Sequence, residues 1–306
     1  MAEVLCIEIG GTKLQIFRGN ENGFIGEPWK GAADRGGGGA AISRQIVEGV
    51  ATVRSRGAEP TAIAVGFGGP VDHARGTIVR SHQIEGWENF PLRDWLSGET
   101  GLPVVVENDS NLAAYAEAIR GAGQGFNPVF YFNLGSGVGG GLVINRKIYH
   151  GIAPGEVEFG HLRLDASGAV TVEQRCSGWA VDQRIRDLAD TSPESKLVQL
   201  LPPTPGKESR FLAKAFAEKD PAACYIIASL ATDLAFALSH VVHLLHPACL
   251  VLGGGLAHVG EPLRGAIEEV LPRYVMKAFH PPPPLRLTKL GESAVPMGAL
   301  LLASTL

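Results

Sequence analysis

Glu107-Asn108-Asp109-Ser110-Asn111 stands between two runs of opposite character. Before it, Val104-Val105-Val106 is β-branched without a break; after it, Leu112-Ala113-Ala114-Tyr115-Ala116-Glu117 is built of helix formers. The order reads as strand, polar turn, helix, with Asp109 or Ser110 as N-cap. Such a turn puts a carboxylate and an amide at the carboxyl edge of a sheet, where open α/β sheets hold their ligands. Taken alone, Asp109 reads first as a helix cap. The rest of the chain supplies the second reading, a catalytic carboxylate.

On either side of this stretch the chain repeats one device, a strand that ends in glycines. Val4 to Ile9 is a β-type run that turns at Gly10-Gly11 and returns through Leu14 to Phe17. Thr12 adds a hydroxyl and Lys13 a charge, so the turn is either a plain hairpin or a seat for an anion. A flexible run, Gly36 to Gly39, leads into a helix over roughly Ala40 to Arg56. Ala62 to Val65 is a buried strand that runs into Gly66-Phe67-Gly68-Gly69-Pro70-Val71, where backbone faces a ligand or another strand closely. A segment carrying Trp87, Asn89, Pro91 and Trp95 then feeds the opening strand. Beyond a helix ending near Ile119, residues 121–128 mark a boundary.

Val129 to Leu134, Gly135-Ser136-Gly137-Val138-Gly139-Gly140-Gly141 and Leu142 to Ile144 form the next such unit. Gly135, Gly137 and Gly140 match a G-x-G-x-x-G spacing, but a dinucleotide fingerprint must open a helix and this one continues as a strand. NAD binding is rejected on that ground. Glu8 to Thr12 thus has a counterpart in Asn133 to Gly137, which points to a duplicated α/β protein with phosphate clamped between its halves.

Farther on, Gly155-Glu156-Val157-Glu158-Phe159-Gly160-His161 spaces a carboxylate three residues from an imidazole, and Glu173 follows just before a helix through residues 177–180. Three such groups among glycines suit the hydroxyls of a ligand; zinc is the rival reading, and His161 has no cysteine beside it. Residues 192–206, with four prolines, form a loop. The long apolar helix from Pro221 to His246 carries Asp233, His240 and His243, so it reads as a buried helix rather than a membrane span. His240, His243 and His246 have no accompanying carboxylate and read as structural. Cys249 to Leu252 ends in Gly253-Gly254-Gly255, a turn suited to a nucleotide base. The last helix runs from Ala294 to Thr305.

The 306 residues are too many for one ordinary core and imply two domains. A net charge of -4 gives no reason to expect nucleic acid or an anionic membrane as partner. The chain enters a strand directly after Met1-Ala2-Glu3, so no leader is expected, and four unpaired-looking cysteines suit a reducing cytoplasm.

Six ordered stretches together, at 8–13, 66–71, 107–111, 134–141, 158–161 and 251–257, resemble the motifs of the ROK family (repressors, open reading frames and sugar kinases) over nearly the whole chain. The resemblance implies the actin-like ATPase fold, two α/β domains of ribonuclease H-like topology with a cleft between them. The first is expected to span residues 1–120 with the C-terminal helix at 293–306 packed back on it, and the second residues 121–292. It also implies transfer of the ATP γ-phosphoryl group to a hexose hydroxyl, usually on C6, with Asp109 as general base. Asn108 and Asn89 would hold sugar hydroxyls beside a wall of Gly68, Gly69 and Pro70, with Glu158, His161 and Glu173 around C1 and C2. Glu8, Gly10, Gly11, Thr12, Lys13, Gly135, Ser136 and Gly137 would serve the phosphates and Mg²⁺, which Glu8 itself would help to bind, and Gly254 and Gly255 the adenosine. The expected partners are a hexose and ATP, without nucleic acid or membrane, in a cytoplasmic homodimer.

Two departures bear on function. Glu8 stands where most members have Asp. The interval Leu162 to Val172 also lacks the cysteine-rich zinc loop that many members carry, so no zinc is expected. The chain is not expected to be a repressor, because no helix-turn-helix precedes the first strand. Glucose leads as acceptor, with fructose, mannose, allose and N-acetylhexosamines open, as is polyphosphate as donor. A non-catalytic sugar sensor is the runner-up; a chaperone or filament protein has no use for the Glu-Phe-Gly-His stretch.

Overall fold

The computed structural model describes residues 2–10, 13–34, 36–81, 84–155 and 157–306. The chain divides into two compact units: Met1–Ala116 with Lys147–Val157 and Glu292–Leu306, and Glu117–Arg146 with Glu158–Gly291.

The first unit is built on β1 (Val4–Ile9), β2 (Lys13–Asn20), β3 (Gly23–Phe24), β4 (Trp29–Ala32), β5 (Ile63–Phe67) and β8 (Val104–Asn108). Their order is β3-β2-β1-β5-β8, with β4 also paired to β2. β1 and β5 run parallel with Ile7 opposite Val65, and β5 and β8 run parallel with Val65 opposite Val106. β1 and β5 are buried throughout, because helices cover both faces of the sheet; that is why β5 reads as an unbroken apolar run and β1 as one broken only by Glu8. On one face Ile7, Ile9, Val65, Phe67 and Val106 pack against Ile42, Ile46, Val50 and Val53 of α1 (Gly38–Arg54) and Leu96 of α2 (Leu92–Thr100). On the other, Val4, Cys6 and Ala64 meet Leu112 of α3 (Asp109–Arg120) and Ala299, Leu300 and Ala303 of α10 (Ala294–Ala303). A small hairpin, β6 (Val71–Asp72) with β7 (Thr77–Ile78), follows the glycine run after β5. Neither this hairpin nor β4 is signalled by the sequence, since strands this short carry too few residues to show alternation.

The second unit holds β9 (Val129–Leu134), β10 (Val138–Ile144), β12 (Cys249–Gly253) and β13 (Leu285–Leu287), ordered β10-β9-β12-β13. β11 (Lys147–Ile148) opens the segment assigned to the first unit. Short helices α4 (Val172–Cys176), α5 (Gly178–Thr191), α6 (Lys196–Gln199) and α7 (Leu212–Ala217) precede α8 (Pro221–Leu245), and α9 (Glu261–Val270) follows β12. α8 starts at a side-chain cap from Asp220 with Pro221 behind it, and ends at His246 in the left-handed conformation. By length and composition it alone among the described residues matches a membrane span, yet Ile226, Ile227, Leu230, Leu234, Leu238 and Val242 lie in the core.

The three spaced histidines of α8 are structural, as expected. His240 meets Phe236 edge-on, His243 Nε2 accepts the Met276 N–H at 3.0 Å, and His246 stacks on Phe279 at 4.0 Å. Two expectations change. The loop over 192–206 contains α6, because Asp220 accepts hydrogen bonds from the Ser195 hydroxyl and Lys196 N–H at 2.9 and 2.8 Å. Glu173 precedes the helix through 177–180, now α5, but also lies inside a short helix of its own, α4, which the reciprocal capping box of Thr171 and Gln174 starts.

Candidate active site

The pentapeptide that opens α3 folds differently in one respect from its sequence reading. Neither Asp109 nor Ser110 caps the helix. Asn108 does: its Oδ1 accepts the N–H groups of Ser110 and Asn111 at 2.8 and 3.1 Å. Its amide Nδ2 donates to the Gly69 carbonyl at 3.2 Å and has a second N–H to offer a ligand. Asp109 is thereby released from capping; the Ser110 hydroxyl at 3.2 Å is its hydrogen-bond partner.

The other residues expected in the first unit gather around this turn. A Cβ placed on Gly68 would lie 3.2 Å from Asp109 Oδ2, so any side chain there would crowd the carboxylate. Pro70 and Asn89 are both tied to Val79, whose N–H donates to Pro70 O at 3.0 Å and whose carbonyl accepts from Asn89 N at 3.2 Å. At the β1–β2 turn, Gly10 N–H donates to Lys13 O at 2.9 Å, and Lys13 Nζ pairs with Glu8 Oε1 at 2.9 Å. Gln15 reaches the other oxygen of Glu8 at 3.4 Å. Gly11 and Thr12 lie outside the described residues.

These carboxylates are electrostatically coupled. Burial raises Glu8 above its ordinary range, and the Lys13 ammonium pulls against that rise. Asp109 is pushed up to about 6, first by burial and then by the charge of Glu8, against the opposing Ser110 hydrogen bonds and Lys13. A carboxyl poised near neutrality suits a proton acceptor.

The second unit assembles the remaining expected residues around the β9–β10 turn. Gly135 N–H donates to Gly137 O at 2.9 Å, and the Gly135 carbonyl accepts from Gly178 N at 2.7 Å. Ser136 is exposed at the tip. Glu173 Oε2 accepts the Val138 N–H at 2.9 Å, so this expected sugar ligand also fastens the glycine turn. Phe159 anchors the Glu158–His161 turn in the core against Phe130 and Phe132 at 5.7 and 5.4 Å, leaving Glu158 and His161 exposed with Oε2 and Nε2 3.9 Å apart. Gly254 has φ +79°, and a Cβ there would stand 2.6 Å from the Leu134 backbone. Only glycine fits that close approach. The exposed Gly254-Gly255 turn therefore sits directly against the residue that precedes Gly135.

The interval without cysteines is closed by backbone pairing. Arg163 and Thr171 bridge antiparallel, Leu164 N donates to Val170 O at 2.9 Å and Val172 N to Leu162 O at 3.0 Å. Asp165 turns the strand pair, accepting from Gly168 N at 3.0 Å and from the Ser167 hydroxyl. Among the described residues no group of three or more His, Cys, Asp or Glu side chains is arranged to hold a metal ion. Elemental analysis of purified protein is expected to find no stoichiometric zinc, and a chelator to leave the melting temperature unchanged. A full equivalent of zinc would overturn this.

Glu107, His73 and His150, which the sequence reading gave no role, also belong to this site: His150 Nε2 lies 2.7 Å from Glu107 Oε2 and its ring stacks on His73. Glu107 carried a signal, a charge closing an apolar strand run. The two histidines carried none, because the contact spans 43 residues of chain.

Comparison with known proteins bears directly on this arrangement. The ROK family model matches residues 4–305. A glucokinase of Streptomyces coelicolor is 31% identical, covering 99% of this chain and 98% of that protein. The crystal structure of a ROK family glucokinase from Streptomyces griseus in complex with glucose and AMPPNP is 30% identical with a TM-score of 0.84, covering 99% of this chain and 100% of that one. A ROK hexokinase from Thermus thermophilus is 29% identical with a TM-score of 0.81, over 99% and 98% of the two chains. With a match this long at this identity, the chain belongs to the ROK family, has its actin-like ATPase fold, and falls among its sugar kinases.

Proposed function

We propose that the protein is an ATP-dependent hexokinase that transfers the γ-phosphoryl group to a hexose hydroxyl, O6 of glucose first among the candidates, with Asp109 as general base. The observation that carries this reading is the cap made by Asn108, which leaves the Asp109 carboxylate at the head of α3 beside Gly68 and raised to about 6. Asp109 would accept the proton of the attacking hydroxyl within hydrogen-bond reach. Gly68, Gly69, Pro70, Asn89 and the second N–H of Asn108 would position that sugar, and Glu158, His161 and Glu173 would take its hydroxyls around C1 and C2. The turns at residues 10–13 and 135–137, with the Lys13 charge, would hold phosphate oxygens; Gly254 and Gly255 would lie against the adenosine. Mg²⁺ would enter with ATP, offsetting charge on the transferring group. The Streptomyces griseus relative, which was crystallised with glucose and AMPPNP, supports both substrates.

Glu8 supports a second reading, a sugar sensor without turnover, because it replaces the family's usual Asp and is held by Lys13. The extra methylene gives roughly 1.5 Å more reach, and a displacement of about 1 Å can cost on the order of 10²-fold in rate. A coupled ADP-release assay over a panel of hexoses, with ATP and with polyphosphate, tests the two readings. Wild-type turnover on at least one hexose is expected, with Glu8→Asp equal to it or faster. A wild type inert with every sugar and donor, beside an active Glu8→Asp, would establish the sensor instead.

A further inference from the structure

Glu107 is 3% exposed, and its carboxylate is used fully. Oε1 accepts the Asn108 N–H at 2.9 Å and the side-chain amide of Asn111 at 3.0 Å; Oε2 faces His150 Nε2 at 2.7 Å. In the tautomer with its proton on Nε2, His150 donates to this carboxylate oxygen. The His150 ring lies flat on His73, with centroids 3.5 Å apart and planes 10° from parallel. Burial and then the neighbouring His150 hold His73 below its ordinary value, against the opposing charges of Glu107 and Asp72.

What these three residues connect gives the arrangement its meaning. Glu107 fixes the backbone of the turn that bears Asn108 and Asp109. His73 follows directly on the hairpin strand that continues Gly68-Gly69-Pro70. His150 lies in Lys147–Val157, the segment that runs into Glu158. The turn bearing Asn108 and Asp109 and the segment leading to Glu158 are thus tied to one buried carboxylate, and the residue after the glycine-wall hairpin strand stacks on its histidine partner.

We propose that Glu107 and His150, with His73 stacked on the latter, are positioning residues for the hexose, setting the base-bearing turn, the glycine wall and the lead-in to Glu158 relative to one another. The inference rests on the hexokinase reading and deepens it. A carboxylate deprived of its donor loses its orientation, and the 147–157 segment loses its tether; sugar affinity should suffer before nucleotide affinity does.

His150→Ala is expected to raise the KM for the best hexose by about tenfold or more, the scale on which small displacements of binding groups act. The KM for ATP should stay close to wild type. His150→Gln, whose amide N–H can stand in for Nε2–H, should recover most of the loss. If His150→Ala does not fold, His73→Ala takes its place: it removes the stack, keeps the hydrogen bond, and should raise the hexose KM with the ATP KM unmoved. A hexose KM within about twofold of wild type, equal rises in both KM values, or a loss that Gln does not rescue would overturn the proposal. Calorimetric titration with hexose separates this failure from that of the kinase reading. A wild type that binds sugar without turnover defeats the kinase, while weaker binding by His150→Ala would still uphold the positioning role. A wild type that binds no hexose defeats both.

Discussion

Asp109→Asn is expected to lower kcat by about 10²–10⁴-fold, the usual contribution of a general base, while hexose affinity stays within about tenfold. The amide fills the same space beside Gly68 but takes up no proton. The acid limb of wild-type kcat/KM supplies a second readout. Asp109 acts as base only when ionised, and its carboxyl is raised to about 6, so activity should fall as pH drops through about 6. The substitution should also be neutral or favourable for folding. The folded protein binds this proton more tightly than the unfolded chain, whose ordinary value is 3.8; ionisation therefore works against the fold as pH rises from about 4 to about 6. Above that window Asp109→Asn removes the opposition, so its melting temperature at pH 7.5 should match or exceed wild type. A variant that turns over at nearly the wild-type rate would return Asp109 to a structural role. One that merely unfolds would show in the melting curve.

The second large effect is structural. Glu117 is 0% exposed, and its carboxylate accepts from Ala122 N at 2.7 Å, Leu290 N at 2.9 Å, Lys289 N at 3.3 Å and the Thr288 hydroxyl. Glu117→Ala takes the acceptor from all four donors, which are partly buried around it. Each unsatisfied buried group costs roughly 1–3 kcal/mol, and with partial relaxation the sum should reach about 3–5 kcal/mol, at the upper end for one substitution. For a chain of this size that corresponds to a fall in melting temperature on the order of 10 °C. Differential scanning calorimetry decides it, and a shift under about 2 °C would mean that other acceptors or water replace the carboxylate. Glu117→Gln, which keeps one acceptor oxygen, should fall between.

The strand–turn–helix at 104–120 was legible because three β-branched residues and six helix formers leave only one reading of the polar residues between them. The glycine turns after β1, β5, β9 and β12 were legible for the same reason, as interruptions of apolar runs. The cap was not. In Asn-Asp-Ser-Asn every residue is a good N-cap, and the choice fell to Asn108 because its amide also meets Gly69 O. That hydrogen bond goes with a cap at Asn108 rather than Asp109, and no local pattern encodes it. The second role of Glu173 was hidden likewise, since its bond to Val138 N crosses 35 residues. The tie between Glu107 and His150 is longer still. Sequence patterns report a residue's own element; these contacts join elements.

The backbone pairing that closes residues 162–172 has a consequence for sulfur chemistry. A loop held by cysteines depends on thiolates, the species that oxidants attack. Here the loop contains no sulfur at all. Cys6, Cys176 and Cys249 are buried, and burial pushes their thiols up, so they stay protonated and poorly reactive. Peroxide that would attack a cysteine-held loop finds no sulfur to oxidise in this one, which leads from His161 to Glu173, the residues proposed to take sugar hydroxyls.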